Sequence, residues 1–172
     1  TLYVRDRATG LRRLAVLDDV REMVRVCAAL PNIDFLMCCV LASDMPAHSA
    51  DVHHVRAMID YSTKPFVFVT YAGETSRHAI ALAEAVAEGP QELAARPFLI
   101  NYINITSPLH HNVDSIKKLY YSVDHGIPVI YRPSLITRGL TTPVTMAGFI
   151  ALNNAGSLAG LVLAQLRRQG AP

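Results

Sequence analysis

The stretch TTPVTMAGFIALNNAGSLAGLVLAQL, residues 141–166, contains no charged side chain, and none occurs between Gly139 and Arg167. Small residues recur along it at Ala147, Gly148, Gly156, Ala159 and Gly160. A helix this long and apolar either crosses a bilayer or packs closely within a soluble domain. Gly156 and Gly160 form a Gly-x-x-x-Gly pair, a spacing also used between membrane helices. Against a span, Asn153-Asn154 fall near its middle, and Ser157 and Gln165 add polarity. A buried helix meets the same facts more simply. Small residues let helix and sheet backbones approach, and Asn side chains satisfy buried backbone groups. The expectation is a buried helix, capped by Thr142 with Pro143 at its first position.

What precedes this helix sets the fold class. Apolar runs occupy Ile33–Leu41, Pro65–Tyr71, Pro97–Ile105 and Ile127–Tyr131. They begin roughly 30 residues apart, the length of a strand–helix unit. Each is apolar on both faces, as parallel strands buried on both sides are. Helix signals fill the intervals. Asp19 with Glu22 suggests a capping box before Val20, Met23, Val24 and Cys27. Ser49 or Asp51 opens a helix carrying Val52, Val55, Met58 and Ile59. Thr75–Ala87 is Ala-rich and stops before Gly89-Pro90, and Asn112 caps Val113–Val123 with Gly126 beyond its end. The reading is α/β: four βα units of a partial (β/α)8 barrel, forming residues 1–172 of one domain. An open doubly wound sheet is the alternative, weakened because no Gly-x-Gly-x-x-Gly follows any run.

Composition narrows the partners. The net charge is +2, too small to draw the chain to nucleic acid. Charged residues make up 17%, below the ~25% usual in soluble domains, so burial should be extensive, within the chain or against further segments. Cys27, Cys38 and Cys39 are odd in number and lack disulfide spacing, which fits a reducing, cytoplasmic setting. Cys38 and Cys39 read as small core residues. The charged start, Thr1-Leu-Tyr-Val-Arg-Asp-Arg, gives no secretion signal. His48, His53, His54, His110 and His111 lack the spacing of metal ligands, so no metal is expected.

Candidate contacts cluster at the ends of the runs. Tyr71, Tyr102 and Tyr131 suit a quaternary ammonium, which an aromatic face attracts by ~0.5–2 kcal/mol, although Tyr is equally an ordinary strand residue. Asn104, Thr106 and Ser107 end the third run, where barrel chemistry concentrates. Ser107 lacks a Gly-x-Ser-x-Gly elbow and is read as positioning substrate. Free N–H groups at the helix start, Thr142–Thr145, can hold a carboxylate; a capped helix without ligand is the other reading. The candidate substrate contacts are thus Tyr102, Asn104, Ser107, Tyr131, Thr142 and Thr145, with no catalytic residue assigned. A Schiff-base lyase or aldolase is a runner-up, but Lys64 precedes its run and Lys117-Lys118 sit on a helix.

The string Gly139-Leu-Thr-Thr-Pro-Val-Thr-Met-Ala-Gly148 resembles the trimethylamine methyltransferase family. So do the continuation Leu-Ala-Gly-Leu-Val-Leu-Ala-Gln165 and the close at Gly170-Ala-Pro172. Ser107-Pro108-Leu109, Lys64-Pro65 and Gly126-Ile127-Pro128-Val129 are supporting matches, and the resemblance covers nearly the whole chain. It implies a (β/α)8 barrel of which this chain is the central part. It also implies methyl transfer from trimethylamine, or from a glycine-betaine-like quaternary amine, to the cobalt of a separate corrinoid protein. No cofactor is then bound directly, the corrinoid (cobalamin) is carried by the cognate partner, and any pyrrolysine falls beyond Pro172. Where the family has Glu in Asn-Ala-Glu, this chain has Gly156. An inactive half-barrel remains the other alternative, and a homo-oligomer is left open.

Overall fold

The computed structural model of the chain describes residues 2–38, 40–106, 108–134 and 138–172. Cys39, expected in the core, and Ser107, a candidate contact, lie outside the described residues, as do residues 135–137 of the loop before the apolar helix. The elements run β1 (Tyr3–Arg5), β2 (Arg12–Leu14), α1 (Leu17–Ala29), β3 (Leu36–Met37), α2 (Ala50–Tyr61), β4 (Phe66–Phe68), α3 (Gly73–Val86), α4 (Pro90–Ala95), β5 (Leu99–Thr106), α5 (Val113–Asp124), β6 (Val129–Ser134) and α6 (Met146–Arg167). Four strands form one sheet in the order β3-β4-β5-β6. The β3–β4 and β5–β6 pairs are parallel, as the unbroken apolar runs require. The fold is therefore α/β. Contacts divide the chain into two compact units, residues 1–100 and 101–172.

In the first unit, the core gathers Val20 and Val24 of α1, Leu36, Val55 and Met58 of α2, Phe66 and Phe68 of β4, and Ile80 of α3. Phe66 and Phe68 are each only 1% exposed, and such burial stabilises by about 1.5–3 kcal/mol per side chain. The Phe66 ring lies tilted against Phe98, centroids 6.0 Å apart. Two elements escaped the sequence reading. The β1–β2 hairpin is polar and short; Asp6 closes it by accepting hydrogen bonds from the N–H groups of Ala8 and Thr9. α4 is a six-residue helix, announced only by Pro90 at its first turn.

Several boundaries shift for local reasons. α1 starts at Leu17, so Asp19 is in its first turn, where its carboxylate accepts from the Val16 N–H at 2.8 Å. The expected Asp19–Glu22 capping box is therefore absent, and Glu22 pairs with Arg7 instead. The first apolar run yields only the two-residue strand β3. Cys38 is half-buried rather than a core residue, its thiol donating to the Val40 carbonyl. Asn112 caps α5 as expected, its side-chain oxygen accepting from the Ser115 N–H at 2.8 Å.

In the second unit, β5 and β6 carry α5 and α6 on one face. Ile103, Leu119, Val123 and Ala164 form the core, with Tyr120, Val129, Tyr131 and Leu163 packed around it. α6 begins at Met146, three residues later than expected. Thr145, not Thr142, caps it, accepting from the Gly148 N–H at 3.3 Å. The small-residue reading of α6 holds in a narrower form than full burial. Among the described residues of α6, Gly156, Gly160 and Ala164 are buried, one stripe at i, i+4 and i+8. A Cβ on Gly156 would lie 2.7 Å from Pro133 Cγ, and one on Gly160 only 2.6 Å from Tyr131 Cγ. The helix thus rests on β6 through its glycines. Ile150, Leu158, Leu161, Val162 and Leu166 stay exposed. By length and composition alone α6 could cross a membrane.

Candidate functional site

The alternation of β5 sorts the candidates onto two faces. Leu99, Asn101, Ile103 and Ile105 are buried, whereas Tyr102 is half-buried and Asn104 and Thr106 are exposed. Asn101 belongs to the helix side, where its amide donates to Ser122 Oγ of α5 at 2.8 Å. Tyr102, Asn104 and Thr106 therefore share the face away from α5 and α6. On β6, Tyr131 and Pro133 meet α6, which turns Ile130 and Arg132 toward the Tyr102 face. The register pairs Tyr102 with Ile130 and Asn104 with Arg132.

Tyr131 accordingly does not join Tyr102. Its ring is held between β6 and α6, stacked on His111 with planes 7° apart, and its hydroxyl shares a 2.9 Å hydrogen bond with His111 Nδ1. Burial pushes the phenol up to about 12, so it stays protonated through the neutral range. Thr142 is buried with no partner for its hydroxyl among the described residues. Its carbonyl accepts from Gly139 N–H at 2.8 Å. Thr145 is occupied as the α6 cap. Of the sequence candidates, Tyr102 and Asn104 come together on one face.

Arg132 was missed by the sequence reading. Its guanidinium carbon lies 5.9 Å from the Tyr102 ring centroid, and its Nε donates to the Pro133 carbonyl at 3.1 Å. The signal was available as parity: Arg132 follows Tyr131, which meets α6, so it points the other way. Beyond β5, Leu109 holds a left-handed backbone with φ 49°. That conformation is costly for a bulky side chain, and it tightens the turn in which Thr106 and His110 exchange backbone hydrogen bonds.

The first unit carries a second polar centre, where β3 and β4 lead into α2 and α3. Asp51, in the first turn of α2 and 2% exposed, accepts from the Tyr71 N–H at 2.9 Å and from the Thr75 hydroxyl at 2.7 Å. Its other oxygen is buried without a partner among the described residues. The cleft beside it, about 470 Å³, is lined by His48, His53, Tyr71, Glu74 and His78. No group of three or more His, Cys, Asp or Glu among the described residues is arranged to hold a metal ion.

His54 is buried, and its Nε2 accepts from the Ala42 N–H at 3.1 Å. Burial lowers its pKa below the ordinary 6.5, an effect His53 adds to and the Asp51 and Asp44 charges oppose. The unfolded chain therefore gains a proton near pH 6.5 that the folded chain resists. Stability is full above that pH and declines as pH falls below it. Urea midpoints are expected to drop between pH 7.5 and 5.5. His54→Gln, which keeps an acceptor and removes the titration, should shrink that drop. Equal drops in both proteins would refute the assignment.

Comparison with known proteins bears on this arrangement. The family model described as trimethylamine methyltransferase matches residues 2–172. The chain belongs to the trimethylamine methyltransferase family. It is 31% identical over 159 residues to a trimethylamine methyltransferase of Methanosarcina barkeri (strain Fusaro), covering 91% of this chain and 32% of that protein. A trimethylamine methyltransferase of Desulfitobacterium hafniense (strain DCB-2) is 29% identical over 154 residues, covering 90% and 31%. A glycine betaine methyltransferase of Desulfitobacterium hafniense (strain Y51) is 28% identical over 165 residues, covering 95% and 34%. The chain thus spans about a third of the length of these family members. A side chain at Gly156 would meet Pro133 and, at 3.1 Å, Ile105 Cδ1, so any larger residue there requires α6 to stand farther from β6.

Proposed function

We propose that this protein moves a methyl group from a methylated amine, trimethylamine or a betaine, to the cobalt of a corrinoid protein, on a (β/α)8 barrel. The family match over residues 2–172 carries the reading. The strand order β3-β4-β5-β6 supports the barrel, since each strand adds beside the last without the reversal of a doubly wound sheet. The chemistry asks little acid–base help. The carbon–nitrogen bond breaks, its electron pair stays on a neutral amine, and the acceptor's cobalt(I) supplies the two electrons of the new bond. The protein's task is to hold the amine in line with that acceptor. Tyr102 offers an aromatic face that attracts a small methylated cation, with the polar Asn104 beside it. The lysines give a Schiff-base lyase no support: Lys64 donates to the carbonyls of Cys27 and Leu30, at the other end of β4.

The test incubates the full-length protein with a reduced corrinoid protein and a panel of methylated amines. Expected is loss of cobalt(I) absorbance with matching formation of the demethylated amine. No demethylation anywhere in the panel would sink the proposal and favour an inactive barrel.

A further inference from the structure

We infer that Arg132 is the carboxylate anchor of the site and makes it selective for a quaternary amine carrying a carboxylate over a bare methylamine. The inference rests on the methylated-amine reading above and adds the specificity determinant. Arg132 stands on the face of β6 turned from α6, directly beside Asn104 in register and within 5.9 Å of the Tyr102 ring. Arg132 is exposed, and the Nε bond to the Pro133 carbonyl at 3.1 Å restrains its guanidinium on the Tyr102 side. Its two terminal nitrogens meet no acceptor, and no carboxylate pairs with it, among the described residues. In the second unit the acids are Asp114 and Asp124, and Asp124 is taken by Arg167 at 2.7 Å. A guanidinium fork whose terminal nitrogens have no acceptor among the described residues can meet a carboxylate in two parallel hydrogen bonds. The neighbouring Asn104 side chain likewise has no partner among the described residues and can donate a further bond. Tyr102 supplies the face for the trimethylammonium end. At the α6 N-terminus, the anion site expected from sequence, the Gly148 N–H is taken by the Thr145 cap.

The experiment measures binding of glycine betaine, choline and trimethylamine to the full-length protein by calorimetry, for wild type, Arg132→Gln and Arg132→Lys. Choline keeps the trimethylammonium group and replaces the carboxylate with a hydroxyl. Expected is a loss of about tenfold or more in betaine affinity for Arg132→Gln, a smaller loss for Arg132→Lys, and choline and trimethylamine changed by less than about twofold. Unchanged betaine binding would overturn the inference. So would an equal loss for all three ligands, which marks a structural role. Methyl transfer from trimethylamine by a wild type that does not bind betaine would sink the inference and leave the methyltransferase reading standing. Selective loss of betaine binding in a protein that demethylates nothing would do the reverse.

Discussion

Gly160→Val is expected to lower stability by about 3 kcal/mol or more, and Gly160→Ala by about 1–2 kcal/mol, read as urea midpoints. Two effects compete at this position. Glycine inside a helix costs about 1 kcal/mol relative to alanine, so on propensity alone the alanine variant gains. Packing opposes it: the new Cβ would fall 2.6 Å from both Cγ and Cε1 of Tyr131. The obstacle is a ring, not the end of a flexible chain. That ring is stacked on His111 and hydrogen-bonded to it, so it cannot swing aside without losing both contacts. Overpacking of this kind costs ~1–3 kcal/mol and more for a branched side chain, so packing wins. The attribution is checked by a double-mutant cycle with Tyr131→Ser, which opens the space. Coupling of at least about 1 kcal/mol is expected. Strict additivity, or an alanine variant more stable than wild type, would mean that α6 does not rest on β6 through this glycine.

The same contact marks where the sequence was legible and where it was not. Small residues at four-residue spacing announced a close helix–sheet approach, and Gly156 and Gly160 make it. The four apolar runs became four strands because buried parallel strands have no polar face to confuse the pattern. Asn112 was legible as a cap because its function is local. What failed was long-range or a matter of parity. The α6 start depended on which of Thr142 and Thr145 took the extended backbone of a cap, and spacing alone favoured the first. Tyr131 looked equivalent to Tyr102 because both lie at or near the ends of apolar runs. One residue of register decides the face, and that register is fixed by the glycine stripe of an element 30 residues away. The full burial expected of α6 overshot, since a helix can be apolar all round and still touch its sheet along one stripe. Asp51 read only as a helix opener, because its partners lie 20 and 24 residues downstream.

Asp51→Ala is expected to cost about 2–4 kcal/mol, the value of two hydrogen bonds to a charged acceptor at a buried position. The carboxylate joins two successive βα connections: it sits in the first turn of α2, after β3, and receives the Tyr71 N–H and Thr75 hydroxyl of the connection from β4 to α3. A negative charge in that first turn is also favoured by the α2 dipole, by about 0.3–1 kcal/mol. Against these stands the price of a buried oxygen with no partner among the described residues, which costs on the order of 1–3 kcal/mol. The balance separates two variants. Asp51→Asn keeps an oxygen for both donors but loses the charge and buries an amide; about 1–2 kcal/mol is expected. If Asp51→Asn proved more stable than wild type, the buried orphan oxygen would outweigh the charge-assisted bonds. The acid would then be a strained group held for the cleft lined by His48, His53 and Tyr71 rather than a staple. Hydrogen exchange distinguishes the roles directly. As a staple, loss of Asp51 should speed exchange at the amides of Tyr71 and of the first turn of α3, while α5 and α6 keep their protection. Unchanged exchange at Tyr71 in Asp51→Ala would show that the two connections hold together without it.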